Sequence, residues 1–256
     1  MSYVDLQTVL LDWDYDPDRV AVRKILGVNG TEKIQLRVEL GLLQMEVAGR
    51  PDGKTPFGCE SLLAYHKGEL ARHEELNGTP LGFALSPAHC EALCDEVSLY
   101  YRRSVALYVL EEFDHVVDDT IHNLGVMDLC RRYALEEEDR RRLEGFRPYA
   151  LMMEARARAH QALSEDEPTS ALAHVNRGLL HISSLFHGAE GETAFNTLEE
   201  VKVLKELRKE LISEMPPDPL IVARKALREA IVQERYEEAA RLHDQLQELR
   251  KEKVSG

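Results

Sequence analysis

The chain has 256 residues, an apolar fraction of 44% and a formal net charge of −14. This length supports one large or two modest domains with an ordinary globular core, and it excludes disorder as a description of the whole chain. The acidic balance disfavours nucleic-acid binding by the bulk surface, because affinity for nucleic acid comes mainly from phosphates neutralised by Lys and Arg. We therefore expect no nucleic-acid partner.

Neither a secretory signal nor a membrane span is predicted. The first 19 residues lack a basic region followed by an apolar stretch, and the longest later apolar run is residues 105–110. Cysteines 59, 90, 94 and 130 lack close paired spacing, which is typical of reduced thiols in a core. We expect a cytoplasmic protein with no membrane partner.

The N-terminal region predicts a small antiparallel sheet. Apolar residues alternate from Val20 onward, and the Asn29-Gly30 pair is a strong hairpin signal because both residues tolerate positive φ. A third apolar stretch, residues 42–47, ends at a turn-rich segment. Residues 20–48 therefore predict a three-stranded meander within an N-terminal segment 1–57.

Residues 58–215 predict a helical domain. The apolar period becomes helical after Phe57, with breaks at residues 77–80, 164–169 and 188–191, and Ser86 is expected to cap a helix that opens at Pro87. The fold class is thus mainly α, or α+β, with the sheet at the N-terminus.

Two stretches of this domain resemble tetratricopeptide repeats, which are stacked two-helix units. The apolar and small residues that carry the resemblance are Tyr100, Ser104, Leu107, Phe113, Val116 and Leu124, then Ala155, Ala159, Ala162, Ala171, Val175, Gly178 and Leu179. Arg103 and Asn123 depart from the pattern, since apolar or small residues are usual there. A repeat-like array and an ordinary helical bundle both fit this spacing.

Prolines 216, 217 and 219 predict a linker, and residues 216–256 predict the linker and a two-helix hairpin. Asp218 is a suitable N-cap, and Pro219 fits the first helical position. The apolar stripe of the first helix is Ala223, Leu227, Ala230 and Ile231, and that of the second is Ala239, Leu242, Leu246 and Leu249.

The residues around this hairpin resemble the UVR motif, the C-terminal module of UvrB with a counterpart in UvrC. The resemblance covers residues 217–252 and rests on Leu227–Ile231, on Glu234, and on the run Tyr236–Leu242 with its two acids and two alanines. His243 departs from the motif, in which an arginine commonly precedes the aspartate. If this position forms an ion pair with a partner, that pair would depend on pH.

The resemblance implies a protein–protein interaction module. Its predicted partner-binding residues are Leu227, Ile231, Tyr236, Ala240, Leu242, His243, Leu246 and Leu249. A hairpin this short cannot bury both apolar stripes within itself, so a protein partner or a second copy of the chain would complete a four-helix packing. The alternative is a hairpin that docks on the helical domain as its last unit.

Other candidate sites give weaker signals. Residues 48–55 match a relaxed phosphate-loop pattern, but Pro51 removes one N–H, so a solvent-facing turn is expected. The pairs Glu112/His115 and Asp119/His122 have di-iron spacing, and a solvated helix face is the preferred interpretation. Cys90 and Cys94 are interpreted as buried thiols.

The helical domain supplies a second set of predicted partner contacts, namely Tyr101, Tyr108, Arg156 and His160, although these side chains could equally fill gaps between helices. The sequence as a whole predicts a bacterial adaptor or scaffold with no catalysis, no metal and no cofactor. A self-assembling structural protein, or a nucleotide- or metal-dependent enzyme, remains the alternative.

Overall fold

A computed structural model describes residues 5–215 and 219–255, except for the side chains of residues 189, 219–221 and 248–255. Contacts divide the chain into two compact units, Met1–Arg208 and Lys209–Gly256. The predicted linker prolines 216 and 217 and the predicted cap Asp218 lie outside the described residues. In the described part, no helix is long and apolar enough to cross a membrane.

The predicted N-terminal meander is confirmed. Its antiparallel strands are β1 (Val22–Leu26), β2 (Glu32–Val38) and β3 (Gly41–Glu46), in the order β1-β2-β3. Gly30 has a φ of 76° in the first turn, as the Asn-Gly signal requires. Ile34 and Met45 are paired across β2 and β3 and are both buried, so one face of the sheet joins a core.

The first unit is otherwise helical, which confirms the predicted fold class. Its helices are α1 (Gln7–Leu10), α2 (Leu62–Asn77), α3 (Pro87–Val109), α4 (Phe113–Tyr133), α5 (Glu137–Arg142), α6 (Arg147–Ser164), α7 (Pro168–Ser183), α8 (Gly188–Thr197) and α9 (Glu199–Glu214), the last of which continues into the second unit. Helix α4 packs against α3 and α6, and α6 packs against α7. The core between α2, α3, α4 and α6 includes Leu63, Leu93, Val126 and Ala150.

Helix boundaries follow local sequence signals. Ser86 precedes Pro87, and its side chain accepts a hydrogen bond from the His89 N–H at 3.3 Å, so the predicted cap is confirmed. The predicted break at residues 188–191 is wrong, because α8 begins at Gly188. Gly191 instead lies in a close contact, since a Cβ there would be 3.1 Å from the backbone of Phe186.

The connections α3–α4 and α6–α7 have the same form. Each spans three residues, and the middle residue is left-handed, with φ of 60° at Glu111 and 59° at Asp166. In each, the next N–H reaches back five residues, from Glu112 to the Leu107 carbonyl at 3.0 Å and from Glu167 to the Ala162 carbonyl at 2.8 Å. This shared turn fits two related helical hairpins, and the tetratricopeptide likeness stays a prediction.

Candidate interaction surface on the C-terminal hairpin

The second unit contains two helices that pack against each other, α10 (Pro219–Val232) and α11 (Tyr236–Ser255). Helix α10 begins at Pro219, the position expected for a proline at a helix start. Glu234 has a φ of 55°, and the Arg235 N–H donates to the Ala230 carbonyl at 2.8 Å. The connection therefore has the same geometry as α3–α4 and α6–α7.

Small side chains fill much of the described interior of the hairpin. Ala223 and Ala230 on α10 are buried, as are Ala239 and Leu246 on α11. The two residues on each helix are seven apart, so they lie on one face, two turns from each other. Alanines on facing stripes allow close helix approach but remove little apolar area from water.

Larger apolar side chains near the connection are left in solvent. Ile231 is 53% exposed, Val232 is 82% exposed and Tyr236 is 69% exposed. We call these three residues the apolar patch. It combines aliphatic side chains with a tyrosine, which suits a protein contact because tyrosine adds both buried area and a directional hydrogen bond.

A family described as UvrB/uvrC motif matches residues 220–252. We call the hairpin that matches this motif the UVR hairpin. The match covers this part of the chain and leaves the first unit unassigned. No curated protein and no solved structure matched the chain.

The UVR hairpin places the residues predicted for partner binding in three different environments. Ile231, Tyr236, Ala240 and His243 are exposed, Leu227 and Leu242 are half-buried, and Leu246 is buried. The side chain of Leu249 lies outside the described residues. Of this set, Ile231 and Tyr236 therefore offer the most accessible apolar area, whereas a change at Leu246 would disturb the packing of the hairpin.

The two helices also carry charged side chains. Arg235 pairs with Glu238 across one turn, and the His243 imidazole lies 3.8 Å from the Asp244 carboxylate. Residues 219–255 carry eight Lys and Arg against seven Asp and Glu, so the UVR hairpin has a formal charge of +1 in a chain whose total is −14. The acidic excess lies outside the motif.

Three of the four predicted contacts in the first unit form one aromatic cluster. The Arg156 guanidinium lies over the Tyr108 ring at 4.5 Å, and the His160 ring packs edge-on against Tyr108 at 5.8 Å and stacks on Phe113 at 5.2 Å. Tyr101 lies instead against Tyr149, with ring centroids 5.3 Å apart. All four predicted residues contact neighbouring side chains, and their role in partner binding stays a prediction.

The first unit contains a buried charge network that the sequence did not predict. Glu96 is fully buried and accepts the N–H groups of Leu62 at 2.8 Å and Leu63 at 3.0 Å, while His122 Nε2 lies 3.1 Å from its carboxylate. Burial acts to raise the pKa of Glu96, but these hydrogen bonds lower it below its usual value. The carboxylate fixes the N-terminus of α2 against α3 and α4.

The metal interpretation of Asp119 and His122 fails for a physical reason. Asp119 is buried and accepts two hydrogen bonds from Arg103, at 2.6 and 3.0 Å, while His122 stacks on Tyr100 at 3.6 Å. The expected solvated face is therefore wrong here, because both side chains serve the buried network. Among the described residues, no group of three or more His, Cys, Asp or Glu could hold a metal ion.

The phosphate-loop candidate is partly buried. Arg103 Nη1 donates to the carbonyls of Glu46 at 3.1 Å and Gly49 at 2.7 Å, which fastens the segment to α3. Pro51 is buried, and Arg50 Nε lies 3.4 Å from a Glu96 oxygen. Solvent exposure is confirmed for residues 52–55 and is wrong for Pro51. The following helix, α2, begins at Leu62 and not at the lysine that a phosphate loop requires.

The four cysteines differ in solvent exposure. Cys90 and Cys130 are buried, whereas Cys94 and Cys59 are half-buried, and all four are free. Burial raises the pKa of the Cys90, Cys94 and Cys130 thiols. This favours inert core thiols over nucleophiles.

Proposed function

We propose that the protein is a cytoplasmic protein–protein interaction adaptor or scaffold that binds through its UVR hairpin. The main supporting observation is the apolar patch, because all three of its side chains keep at least half of their surface in solvent. The motif match to residues 220–252 supports an interaction role for the same two helices.

The occupant we propose is a second two-helix surface, from a partner protein or from a second copy of this chain. Packing a matching hairpin against α10 and α11 would complete four helices and remove the patch from water. At about 25 cal/mol per Å² of apolar area, burying side chains of this size contributes on the order of 1–2 kcal/mol each, before the cost of association. The alternative, a hairpin that closes the helical array, predicts equal behaviour of wild type and Ile231→Lys in the experiment that follows.

The test uses the full chain with Ile231→Lys and Leu180→Lys as matched variants. Both residues are exposed apolar side chains in the last turn of a helix, Ile231 in α10 at 53% and Leu180 in α7 at 67%. A lysine near a helix C-terminus is compatible with helix formation. We expect Ile231→Lys to weaken partner binding at least about tenfold and Leu180→Lys to leave it unchanged.

Light scattering and affinity capture distinguish a second copy of the chain from a foreign partner protein. Wild-type dimers that dissociate in Ile231→Lys indicate self-pairing, whereas a wild-type monomer that captures a protein which Ile231→Lys releases indicates a foreign partner. Equal behaviour of wild type and Ile231→Lys in both measurements, with helical content retained by circular dichroism, would refute the proposal.

A further inference from the structure

The first unit contains a cavity between α3, α4 and α6 with a volume of about 100 Å³. Apolar side chains form most of its wall, including Val97 on α3, Met127 on α4 and Ala150 on α6. All three wall residues are buried, so the inner end of the cavity lies within the helical core. An engineered apolar cavity of about 150 Å³ is known to bind benzene, so this space approaches the size of one ring.

One polar side chain in this wall lacks a partner. Asn123 lines the cavity and is buried, and its Oδ1 accepts no hydrogen bond from the described residues. The nearby hydroxyls of Ser104 and Thr120 already donate to the carbonyls of Tyr101 and Val117, each at 2.8 Å. A buried amide oxygen without a hydrogen-bond donor is uncommon in native proteins and costs on the order of 1–3 kcal/mol. A bound ligand that supplies the donor would offset this cost.

Aromatic side chains mark the solvent side of the cavity. Tyr101 and Phe146 line it and are exposed, and Tyr149 lines it while packing edge-on against Tyr101 at 5.3 Å. Rings at a mouth provide faces for a planar molecule, and edge-to-face contacts contribute on the order of 1 kcal/mol beyond the area they bury. An apolar wall, a single amide and an aromatic mouth are a typical small-molecule site.

We propose that this cavity binds a small neutral molecule with one aromatic ring and one hydroxyl group, of the size of phenol. The ring would lie between Met127, Ala150 and the aromatic mouth. A hydroxyl both donates and accepts, so it can hydrogen-bond the Asn123 amide in either orientation of that group. The ligand would replace any water that the amide holds, and it would fill apolar space that a water cannot.

The probes are phenol and benzene, titrated into the full chain with methyl NMR of the methionines. Met127 lines the cavity, whereas Met45 on the sheet and Met152 on α6 are buried elsewhere and serve as internal references. We expect phenol to shift the Met127 methyl saturably while the Met45 methyl stays unchanged, with phenol binding about tenfold tighter than benzene. If neither probe shifts the Met127 methyl resonance of the wild-type chain up to its solubility limit, the proposal is overturned.

Two substitutions then test the assigned roles. Asn123→Leu removes the amide and should abolish the preference for phenol over benzene, while Asn196→Leu, on exposed α8, should preserve it. Ala150→Leu fills the space and should weaken both probes at least about tenfold, with Ala194→Leu as the exposed control. Retained phenol preference in a folded Asn123→Leu protein, or full binding in a folded Ala150→Leu protein, would contradict the site. None of these readouts involves the UVR hairpin, so they succeed or fail independently of the adaptor function.

Discussion

The Arg103 side chain connects three parts of the first unit. Its guanidinium is buried and makes a bidentate ion pair with Asp119 on α4. Its Nη1 donates to the carbonyls of Glu46 at the end of β3 and of Gly49 beyond it. A buried pair is costly to desolvate, and its attraction offsets that cost only when its hydrogen bonds are satisfied. Here the two members satisfy each other, so removing one would leave a buried charge without compensation.

We predict that Arg103→Met destabilises the protein by about 3–5 kcal/mol, because Asp119 is left buried and unpaired. Chemical denaturation followed by circular dichroism measures the change. The double variant Arg103→Met/Asp119→Leu should recover part of the loss, since it removes both charges. As a control, Arg141→Ala breaks an exposed ion pair with Glu137 and should cost no more than about 0.5 kcal/mol. Equal effects of the two arginine variants would contradict the buried-pair argument.

His66 gives the fold a pH dependence of predictable sign. The residue is buried, and burial followed by the nearby His89 lowers its pKa below the usual 6.5. The folded chain then binds fewer protons than the unfolded chain, so this histidine's contribution to stability is present above pH 6.5 and is lost as pH falls through the lowered folded pKa. Charging the imidazole inside the protein is the unfavourable step.

We therefore expect the free energy of unfolding to fall as the pH drops below about 6.5, and His66→Asn to flatten this dependence. Urea denaturation at a series of pH values measures both. His73→Asn, at a histidine on α2 that contacts the Leu81 carbonyl from outside the core, is the control and should retain the wild-type slope. An unchanged slope in His66→Asn would show that other groups set the acid sensitivity.

Residue-level roles could be predicted from the sequence only in part. Arg103 and Asn123 stood out as departures from the repeat pattern, and the structure buries both, one in the ion pair and one in the cavity wall. The partners of Arg103 could not be predicted, because Asp119 and Glu46 meet it across helix and loop contacts that no local period encodes. Glu96 gave no signal at all, since an acid on a polar-looking helix is expected to be solvated.

At the scale of elements, the helical hairpin is the structural unit that recurs along the chain. Small residues occupy the helix crossings, and Gly178 on α7 is the extreme case, because an added Cβ would overlap the Cβ of Ala155 on α6. Neither residue has a positive φ, so close approach and not backbone freedom explains the glycine.

We predict that Gly178→Ala destabilises the first unit by about 1–3 kcal/mol through overpacking, although alanine is the better helix former. The exchanged variant Ala155→Gly/Gly178→Ala should recover much of the loss, because it restores a single Cβ at the crossing. Thermal or chemical unfolding of the two variants measures the difference. A control at Gly68 on α2, where an added Cβ would meet open space, should gain stability as Gly68→Ala. Stabilisation by Gly178→Ala would contradict the close crossing.

The elements themselves were well predicted, because periodicity and turn signals are local. The Asn29-Gly30 turn, the Ser86 cap and the helix start at Pro219 follow directly from residue chemistry. The common left-handed residue at Glu111, Asp166 and Glu234 was not predicted, since two of the three are glutamates, which rarely adopt positive φ. The left-handed conformation follows instead from the three-residue connection, whose length is fixed by the packing of the two flanking helices.

At the scale of the whole molecule, charge and apolar exposure are distributed differently. The UVR hairpin carries a formal charge of +1, so the acidic excess lies in the rest of the chain. The apolar patch lies on the hairpin. Two copies of a chain with net charge −14 repel each other through water, and that repulsion opposes self-association whatever the contact is made of. Contacts between apolar side chains are not themselves weakened by screening.

If the protein pairs with a second copy through the patch, we predict that added salt strengthens the pairing. Raising NaCl from about 0.05 M to about 0.5 M shortens the Debye length from over 10 Å to under 5 Å, so the dissociation constant should fall about two- to fivefold. Sedimentation equilibrium measures it, and Ile231→Lys should stay dissociated at both salt concentrations. A dissociation constant that rises with salt would instead assign the pairing to ion pairs such as those available to Arg235 and Glu238, and would remove the apolar patch as its source.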